Sequence, residues 1–307
     1  MNPEDVDHRV RLATFAFLSE QTQIHGEVLS RKTLAEGFTF EQRRVPLIGP
    51  QGIFKPAILP EMPLTITTVP IVEGKKRPYE DDFGEDDLLR YRYRGIDPNH
   101  RDNVGLRRTM ERQIPLVYFY GIVPGQYMPI WPVYIVGDDA RGLCFTVAVD
   151  EPKLAELHAG ASSDPSEEVR RSYLTRVALQ RMHQQSFRQR VLRAYRDHCA
   201  ICRLRHRELL DAAHIIPDLD PRGDPVVSNG LSLCKLHHAS FDRNILGIRP
   251  NLTVEIREDV LVELDGPMLE HGLQGFQGMR ILTPRAADLK PNPDFLAERY
   301  ELFRKAG

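Results

Sequence analysis

The sequence predicts an α+β protein with two domains, the first rich in strands and the second smaller and centred on cysteine and histidine residues. Runs of β-branched and aromatic residues bounded by proline or glycine lie mostly within the first 150 residues. A basic segment without glycine or proline follows, as expected for a helix. Since 307 residues can bury two hydrophobic cores, we expect one domain over 1–150, a linker and basic helix over 151–190, and a second domain over 191–307.

The N-terminal domain is predicted to begin with a helix and to continue mainly with strands. Apolar residues recur at helical spacing over Val6–Thr22, and Asp102–Gln113 also has the composition of a helix. Strands are predicted at 64–71, 116–120, 133–136 and 143–147, the last with Cys144 as a buried residue.

The segment between the domains changes from small polar residues to a basic helix. Residues 159–165 are small and polar and end at a proline, which predicts a linker. Ser166 with the glutamates that follow it suits a helix start, and either one long helix or two short ones are expected to about Tyr195. Beyond Asn244, strands are predicted at 254–256 and 260–264, and a helix at 293–305.

The formal net charge of −2 gives no sign of nucleic-acid binding, but the charge is unevenly distributed. Between Arg170 and Arg207 there are eleven arginines and a single acid, Asp197. A basic stripe of this kind can hold a phosphate backbone. It also fits a solvent-exposed helix face, and the charge pattern alone does not separate the two interpretations.

No apolar run is long enough to cross a bilayer, and the acidic N-terminus does not match a signal peptide. We therefore expect a cytoplasmic protein with no membrane partner. Four cysteines in such a chain are not expected to form a disulfide framework.

Two cysteine-containing pairs have the spacing of a zinc site. Cys199-x-x-Cys202 is followed by Cys234-x-x-His237, and together they offer four ligands of the types that tetrahedral zinc prefers. Because the protein would fill all four positions, the predicted zinc is structural. Two alternatives remain open: the pairs are unrelated, or His238 replaces His237 as the fourth ligand.

Histidine and asparagine residues form a second pattern between and beside these pairs. The segment from Asp211 to Pro217 reads DAAHIIP, Asn229 precedes a glycine, and His238 follows the second zinc pair. In this order the sequence from about Phe187 to Asn244 resembles the HNH endonuclease family. The family pattern is a strand histidine before an apolar pair and proline, a loop asparagine, and a helix histidine.

The resemblance implies a ββα-metal domain that hydrolyses DNA with a divalent ion such as Mg²⁺, Mn²⁺ or Co²⁺. His214 would be the general base, because a histidine can take a proton from water near neutral pH. Asn229 would hold the loop and orient that imidazole through a hydrogen bond, and His238 would bind the metal ion. Arg243 is a candidate for binding a flanking phosphate.

One position departs from the family pattern. Many members carry an acidic metal ligand immediately before the base histidine, where this sequence has Ala213. Asp211 and Asp242 are the acids that could replace it, and Asp211 is preferred. A site dominated by histidine would favour a transition metal over Mg²⁺. Taken singly, His214 also fits a core histidine, and Asn229 fits an ordinary turn.

A further pattern in the N-terminal domain concerns the choice of substrate. Its parts follow one another along the chain: Gly52-Ile53, Tyr79 to Asp82 (YEDD), Tyr91 to Gly95 (YRYRG) and Asp102-Asn103. Across about Gly26 to Gly137 this resembles the SRA (SET- and RING-associated) family, whose members flip a 5-methylcytosine out of DNA into a pocket. The resemblance implies a PUA-like domain built on a curved β-sheet or barrel.

By motif position, Tyr79 and Tyr93 would stack on the flipped base, and Asp82 would accept a hydrogen bond from the cytosine amino group. Four basic residues are candidates for phosphate contacts or for filling the vacated stack: Arg92, Arg94, His100 and Arg101. The alternative is that residues 80–87 form an ordinary acidic loop and that the tyrosines are core or edge residues.

Together these patterns predict a modification-dependent restriction endonuclease that flips 5-methylcytosine in double-stranded DNA and cuts nearby phosphodiesters. One HNH site cuts one strand, so double-strand cleavage predicts a homodimer. Two alternatives stay open. The first domain could recognise 5-hydroxymethylcytosine, a phosphorothioate or no mark, or the chain could be a non-catalytic, zinc-stabilised DNA-binding protein.

Overall fold

The computed structural model describes residues 3–70, 82–83, 88–150, 165–264 and 266–306, and the chain divides into two compact units between Met182 and His183. Each unit has its own hydrophobic core. Within the described ranges, none of the helices combines the length and apolar character that crossing a membrane requires.

The first unit is built on one mixed sheet of eight strands, curled into a half-barrel. Its elements in chain order are α1 (Pro3–His25), β1 (Leu29–Ser30), α2 (Arg31–Glu36), β2 (Phe38–Phe40), β3 (Arg43–Val45), β4 (Ile53–Phe54), β5 (Thr65–Thr67), β6 (Asp82–Phe83), β7 (Leu89–Arg92), α3 (Arg101–Glu111), β8 (Leu116–Val123), β9 (Gln126–Asp139) and β10 (Cys144–Val149). The strand order is β4-β5-β8-β9-β10-β7-β6, β1 adds to β9, and β2 pairs with β3 alone.

The long strands β8 and β9 form the middle of this sheet. All eight residues of β8 are buried, which explains why its sequence is a continuous run of apolar and aromatic residues rather than an alternating one. The predicted helices and strands at 6–22, 102–113, 116–120 and 133–136 are confirmed, and β5 lies within the strand predicted at 64–71. Cys144 is half-buried instead of buried, because it opens β10 directly after a turn.

Helix α4 (Pro165–Ala194) contributes to both units. Leu179 and Met182 belong to the core of the first unit, and Phe187 and Val191 belong to the core of the second. The basic segment up to Ala194 therefore forms one long helix and not two short ones, which decides between the two alternatives that the sequence left open. The predicted linker at 159–165 lies outside the described residues except for its last position.

The second unit begins with an antiparallel hairpin, β11 (Leu210–His214) and β12 (Gly230–Cys234), in which His214 pairs with Gly230. The remaining elements are α5 (Lys235–Asp242), β13 (Leu246–Ile248), β14 (Val254–Ile256), α6 (Glu258–Leu261), α7 (Pro267–Gly272) and α8 (Pro293–Ala306). Helix α5 follows β12 without a loop, which gives the ββα order that the family resemblance implies.

The strand predicted at 260–264 is wrong. Residues 258–261 form a short helix. Its first turn carries Glu258 and Asp259, and the helix dipole favours acidic residues at that end. Of the alternating apolar residues, Val260 is buried, whereas Val262 is 73% and Leu264 is 99% exposed. The alternation therefore does not mark a buried strand face.

Candidate functional site

Four side chains of the second unit form a metal-binding group. The ligand atoms of Cys199, Cys202, Cys234 and His237 all lie within 4.8 Å of one another. Nδ1 of His237 lies 3.4 Å from Sγ of Cys199 and 3.2 Å from Sγ of Cys234. Its Nε2 lies 2.9 Å from the Gly272 carbonyl oxygen, to which it can donate, so Nδ1 is left facing the sulfurs.

Local structure explains how these ligands meet. Cys199 and Cys202 lie on a tight turn, closed by hydrogen bonds from the Cys199 amide to the Leu204 carbonyl (2.9 Å) and from the Arg203 amide to the Cys199 carbonyl (3.1 Å). Cys234 ends β12 and His237 lies in the first turn of α5. With three thiols and one imidazole, the protein can fill all four positions of a tetrahedral ion, so the group suits a structural metal.

His214, at the end of β11, is half-buried and stacks on a phenylalanine of α4. The ring centroids of His214 and Phe187 are 4.0 Å apart with an interplanar angle of 18°. Nε2 of His214 is buried and has no hydrogen-bond partner among the described residues. Burial lowers the pKa of His214 below its ordinary value of 6.5, because the charged imidazolium would lose its hydration. The ring is therefore neutral near pH 7 and can accept a proton.

Asn229 is fully buried and clamps the loop that follows His214. Its Oδ1 accepts from the Ile216 amide (2.9 Å), and its Nδ2 donates to the carbonyls of Ile216 (3.1 Å) and Asp224 (3.2 Å). The expected hydrogen bond to the imidazole is therefore replaced by bonds to the backbone. The reason is the register: His214 pairs with Gly230, so Asn229 lies one step beyond the hairpin, beside the residues after the histidine.

His238 lies between two carboxylates on the side of α5 away from the cysteines. Its Nδ1 is 3.5 Å from Oδ2 of Asp211, and its Nε2 is 3.3 Å from Oδ2 of Asp242. The hydrogen bond to Asp211 raises the pKa of His238, although burial opposes the change. The same hydrogen bond is the largest cause of the lowered pKa of Asp211.

Two cations that the sequence analysis did not consider hold Asp211. Lys235 forms an ion pair with Oδ2, and Nε of Arg188 lies 3.4 Å from Oδ1. Arg188 also donates to the backbone carbonyls of Arg207 (2.8 Å) and Leu210 (2.7 Å), so it fixes the start of β11. No local sequence motif identifies Arg188 or Phe187 as part of the site, since both contact the hairpin only through tertiary packing. Arg243 is exposed at the end of α5 and has no polar side-chain partner within the described chain.

The first unit contains a cavity of about 300 Å³, lined by residues 50–53, 67–69 and 91–95. Oγ1 of Thr67 is buried there and has no hydrogen-bond partner among the described residues. The hydroxyl of Tyr91 donates to the Thr67 carbonyl (3.3 Å). A Cβ on Gly52 would lie 2.9 Å from that hydroxyl, so the wall of the cavity has no room for a side chain at this position. Tyr91, which the sequence analysis did not assign to the pocket, therefore lines it.

Of the three predicted base-binding residues, only Tyr93 has a described side chain. Tyr93 lines the cavity and is 2% exposed. One face of its ring packs on Phe145, with the ring centroids 4.6 Å apart. Its hydroxyl donates a hydrogen bond to Asp138 and accepts one from Arg107. Burial, followed by the bond to Asp138, raises the pKa of Tyr93. The backbone of Asp82 pairs with Arg90, and Tyr79 lies outside the described residues.

The predicted phosphate-binding residues of the first unit contact other protein groups. Arg92 donates to the Gly142 carbonyl (3.1 Å). Arg94 and Arg101 both pair with Asp102, and Nδ1 of His100 accepts from the Asp102 amide at 3.2 Å. Arg101 nevertheless keeps a side chain that is 78% exposed.

Comparisons with known proteins gave a family match, which lies in the second unit, and similar solved structures. Residues 199–249 match the family described as HNH endonuclease. Solved structures similar to the chain include the following two. The first is "Modification dependent TagI restriction endonuclease", with 16% identity, a TM-score of 0.29, and coverage of 78% of this chain and 81% of that one. The second is "Structure of the Type IV phosphorothioation-dependent restriction endonuclease ScoMcrA", with 15% identity, a TM-score of 0.19, and coverage of 57% and 52%.

At such low TM-scores neither similarity carries a conclusion about fold or substrate. No curated protein sequence matches the chain. The family match coincides with the metal-binding group, the β11–β12 hairpin and α5. The second unit therefore contains an HNH endonuclease domain, and the protein is a metal-dependent DNA endonuclease.

Proposed function

We propose that the protein is a modification-dependent restriction endonuclease, in which the first unit recognises a modified cytosine and the second cuts DNA. The observation that carries the nuclease part is the convergence of His214, His238 and Asp211 on one ββα motif beside the Cys3His group. The neutral, half-buried imidazole of His214 is the general base. We assign the Cys3His group to a structural Zn²⁺.

The side chains around the scissile phosphate have separate tasks. Nε2 of His214 is buried, so Nδ1 is the nitrogen that takes the proton from the attacking water. Phe187 holds the plane of that ring, and Asn229 holds the loop behind it. A divalent ion at His238 would supply positive charge to the phosphate and to the leaving 3′-oxygen. Arg243 is exposed at the end of α5 and is assigned to a flanking phosphate.

Donors suited to such an ion are present around His238. An imidazole with nearby carboxylates fits Mn²⁺ or Co²⁺ at least as well as Mg²⁺. We assign the acidic ligand to Asp211, which faces Nδ1 of His238 from the hairpin. Asp242 is the alternative, facing Nε2 from α5 itself. Asp211→Asn is expected to lower the cleavage rate more than Asp242→Asn at limiting metal, and the opposite order would move the assignment to Asp242.

For recognition of the modified base, we propose that the cavity of the first unit takes a flipped 5-methylcytosine. Its unpartnered Thr67 hydroxyl offers a hydrogen bond, and Gly52 leaves space for the Tyr91 hydroxyl in the cavity wall. Tyr79 and Tyr93 are assigned to stacking and Asp82 to the cytosine amino group, as the motif implies. Cleavage of both strands of a duplex would then use a homodimer, since one HNH site cuts one strand.

Cleavage of matched plasmids tests both parts of the proposal. Plasmids carrying cytosine, 5-methylcytosine, 5-hydroxymethylcytosine or phosphorothioates are incubated with Mg²⁺, Mn²⁺ or Co²⁺, using wild type, His214→Ala and Thr67→Val. We expect cutting of the methylated plasmid alone, its loss in His214→Ala, and weaker discrimination in the isosteric Thr67→Val.

The alternatives give different results in the same assay. Equal cutting of all plasmids would support the nuclease activity and refute the proposed recognition of a modified cytosine by the first unit. Selective cutting of another modified plasmid would change the substrate assignment. Binding without cleavage under every metal would favour a non-catalytic DNA-binding protein.

A further inference from the structure

Most arginines of the basic stripe are used inside the protein. Asp150 holds Arg170 and Arg171, and Glu27 holds Arg181. In the second unit, three further arginines bind backbone carbonyls or polar side chains, namely Arg188, Arg190 and Arg207. The exposed Arg176 lies over the ring of Tyr173, 5.9 Å from its centroid. For the four remaining exposed arginines, no hydrogen bond or ion pair of the side chain is found in the described part of the chain: Arg193, Arg196, Arg203 and Arg205. We call these four the knuckle arginines.

The knuckle arginines flank the first pair of proposed metal ligands in the sequence, two before Cys199 and two after Cys202. Arg193 and Arg196 stand at the end of α4, where the Arg196 amide donates to the Arg193 carbonyl (2.9 Å). Arg203 follows Cys202 directly and belongs to the turn that carries Cys199 and Cys202. The one acid in this stretch, Asp197, is paired with Arg207 and leaves the knuckle arginines uncompensated.

Two of the knuckle arginines occupy backbone positions that suit glycine better. Arg196 has φ = +56° and Arg203 has φ = +66°, both in the left-handed region that side chains with a Cβ seldom adopt. Glycine would adopt these angles without the steric cost. Arginine at both positions therefore points to a use of the side chain outside the fold.

We propose that the knuckle arginines bind the phosphodiester backbone of the DNA that the nuclease unit cuts. A guanidinium presents a planar fork of donors that matches two phosphate oxygens, and it keeps its charge at any working pH. The hydrogen-bonded turn of residues 199–204 fixes the backbone at Arg203 before the DNA arrives, which reduces the entropy lost on binding. The proposal rests on DNA being the substrate, and it assigns the DNA path to a surface that the HNH residues do not include.

The dependence of DNA affinity on salt tests the proposal. In a His214→Ala background, which removes cleavage, anisotropy of a labelled duplex gives the dissociation constant over a series of salt concentrations. Each phosphate contact contributes about 0.9 to the slope of log affinity against log salt. Arg196→Gly/Arg203→Gly should therefore reduce the slope by about 1.8, with Tm unchanged or raised because glycine suits both angles. Neutralising Arg193 and Arg205 to Gln as well should reduce it by about 3.6.

A control variant separates a DNA contact from a general charge effect. Arg304→Gln/Lys305→Gln removes two charges from α8, where Arg304 is 62% exposed, and should leave the slope unchanged. An unchanged slope after neutralising all four knuckle arginines would overturn the proposal, as would an equal loss in the control. Because binding is measured without cleavage, a wild type that binds but never cuts would refute the proposed function and leave this result standing.

Discussion

The asparagine of the HNH pattern provides the sharpest test of the structure, because its amide bonds to backbone and not to the imidazole of His214, the proposed general base. Asn229→Ala would remove three hydrogen bonds, of 2.9, 3.1 and 3.2 Å. The Ile216 amide and carbonyl, on a residue only 2% exposed, would lose their partners in the interior, while Asp224 is exposed enough to find water. At about 1–2 kcal/mol for each buried group left unpaired, the expected loss is about 3 kcal/mol.

Calorimetry of the full chain measures this loss as a shift of the melting transition of the nuclease unit. A loss of about 3 kcal/mol corresponds to about 10 °C for a domain of this size. Asn229→Asp, which has nearly the same shape, should lose more, because a carboxylate would face two carbonyl oxygens. Ser228→Ala, at the neighbouring half-buried residue, is the matched control and should change stability by less than about 0.5 kcal/mol.

The pH dependence of residual cleavage shows whether Asn229 acts by holding the loop backbone or by a hydrogen bond to His214. If Asn229 acts only on the loop, Asn229→Ala lowers the rate and leaves the acid limb of the profile in place. A shifted acid limb with an unchanged Tm would refute this account and restore the expected hydrogen bond to His214.

Three further predictions concern the same unit. Cleavage should fall on the acid side with a midpoint below pH 6.5, because burial lowers the pKa of His214. Since the imidazole takes up its proton at higher pH in the unfolded chain, the free energy of unfolding should also fall as the pH drops below 6.5. Phe187→Leu should move the acid limb of the cleavage profile to higher pH. An unmoved limb in Phe187→Leu would show that the ring contact does not set this pKa. Asp211→Asn should lower the pKa of His238, because the hydrogen bond to that carboxylate is the main cause of the raised pKa. NMR titration of His238 measures the change, and an unchanged pKa would contradict the observed pair. Chelation of the Cys3His metal should abolish the melting transition of the nuclease unit and spare that of the first unit, and a nuclease transition that survives verified metal loss would show that the group is not structural.

The sequence by itself determines the chemistry of the second unit, because its parts lie close together along the chain. The ligand pairs are each separated by two residues, and the hairpin that joins them carries His214 at its loop end, with Asn229 in the adjoining loop. Short-range spacing of this kind survives any packing of the rest of the molecule. The same locality explains why α1, α3 and α8 were predictable from periodicity or composition.

Tertiary structure decides which neighbouring residue does what. His237 and His238 are adjacent in sequence, but successive residues of a helix point about 100° apart, so one faces the cysteines and the other faces Asp211. Whether an arginine is paired or free depends on what packs against α4, and the stripe pattern contains no information about that. The cavity of the first unit is likewise assembled from three segments far apart in sequence, which only the pairing of β5, β7 and their neighbours brings together.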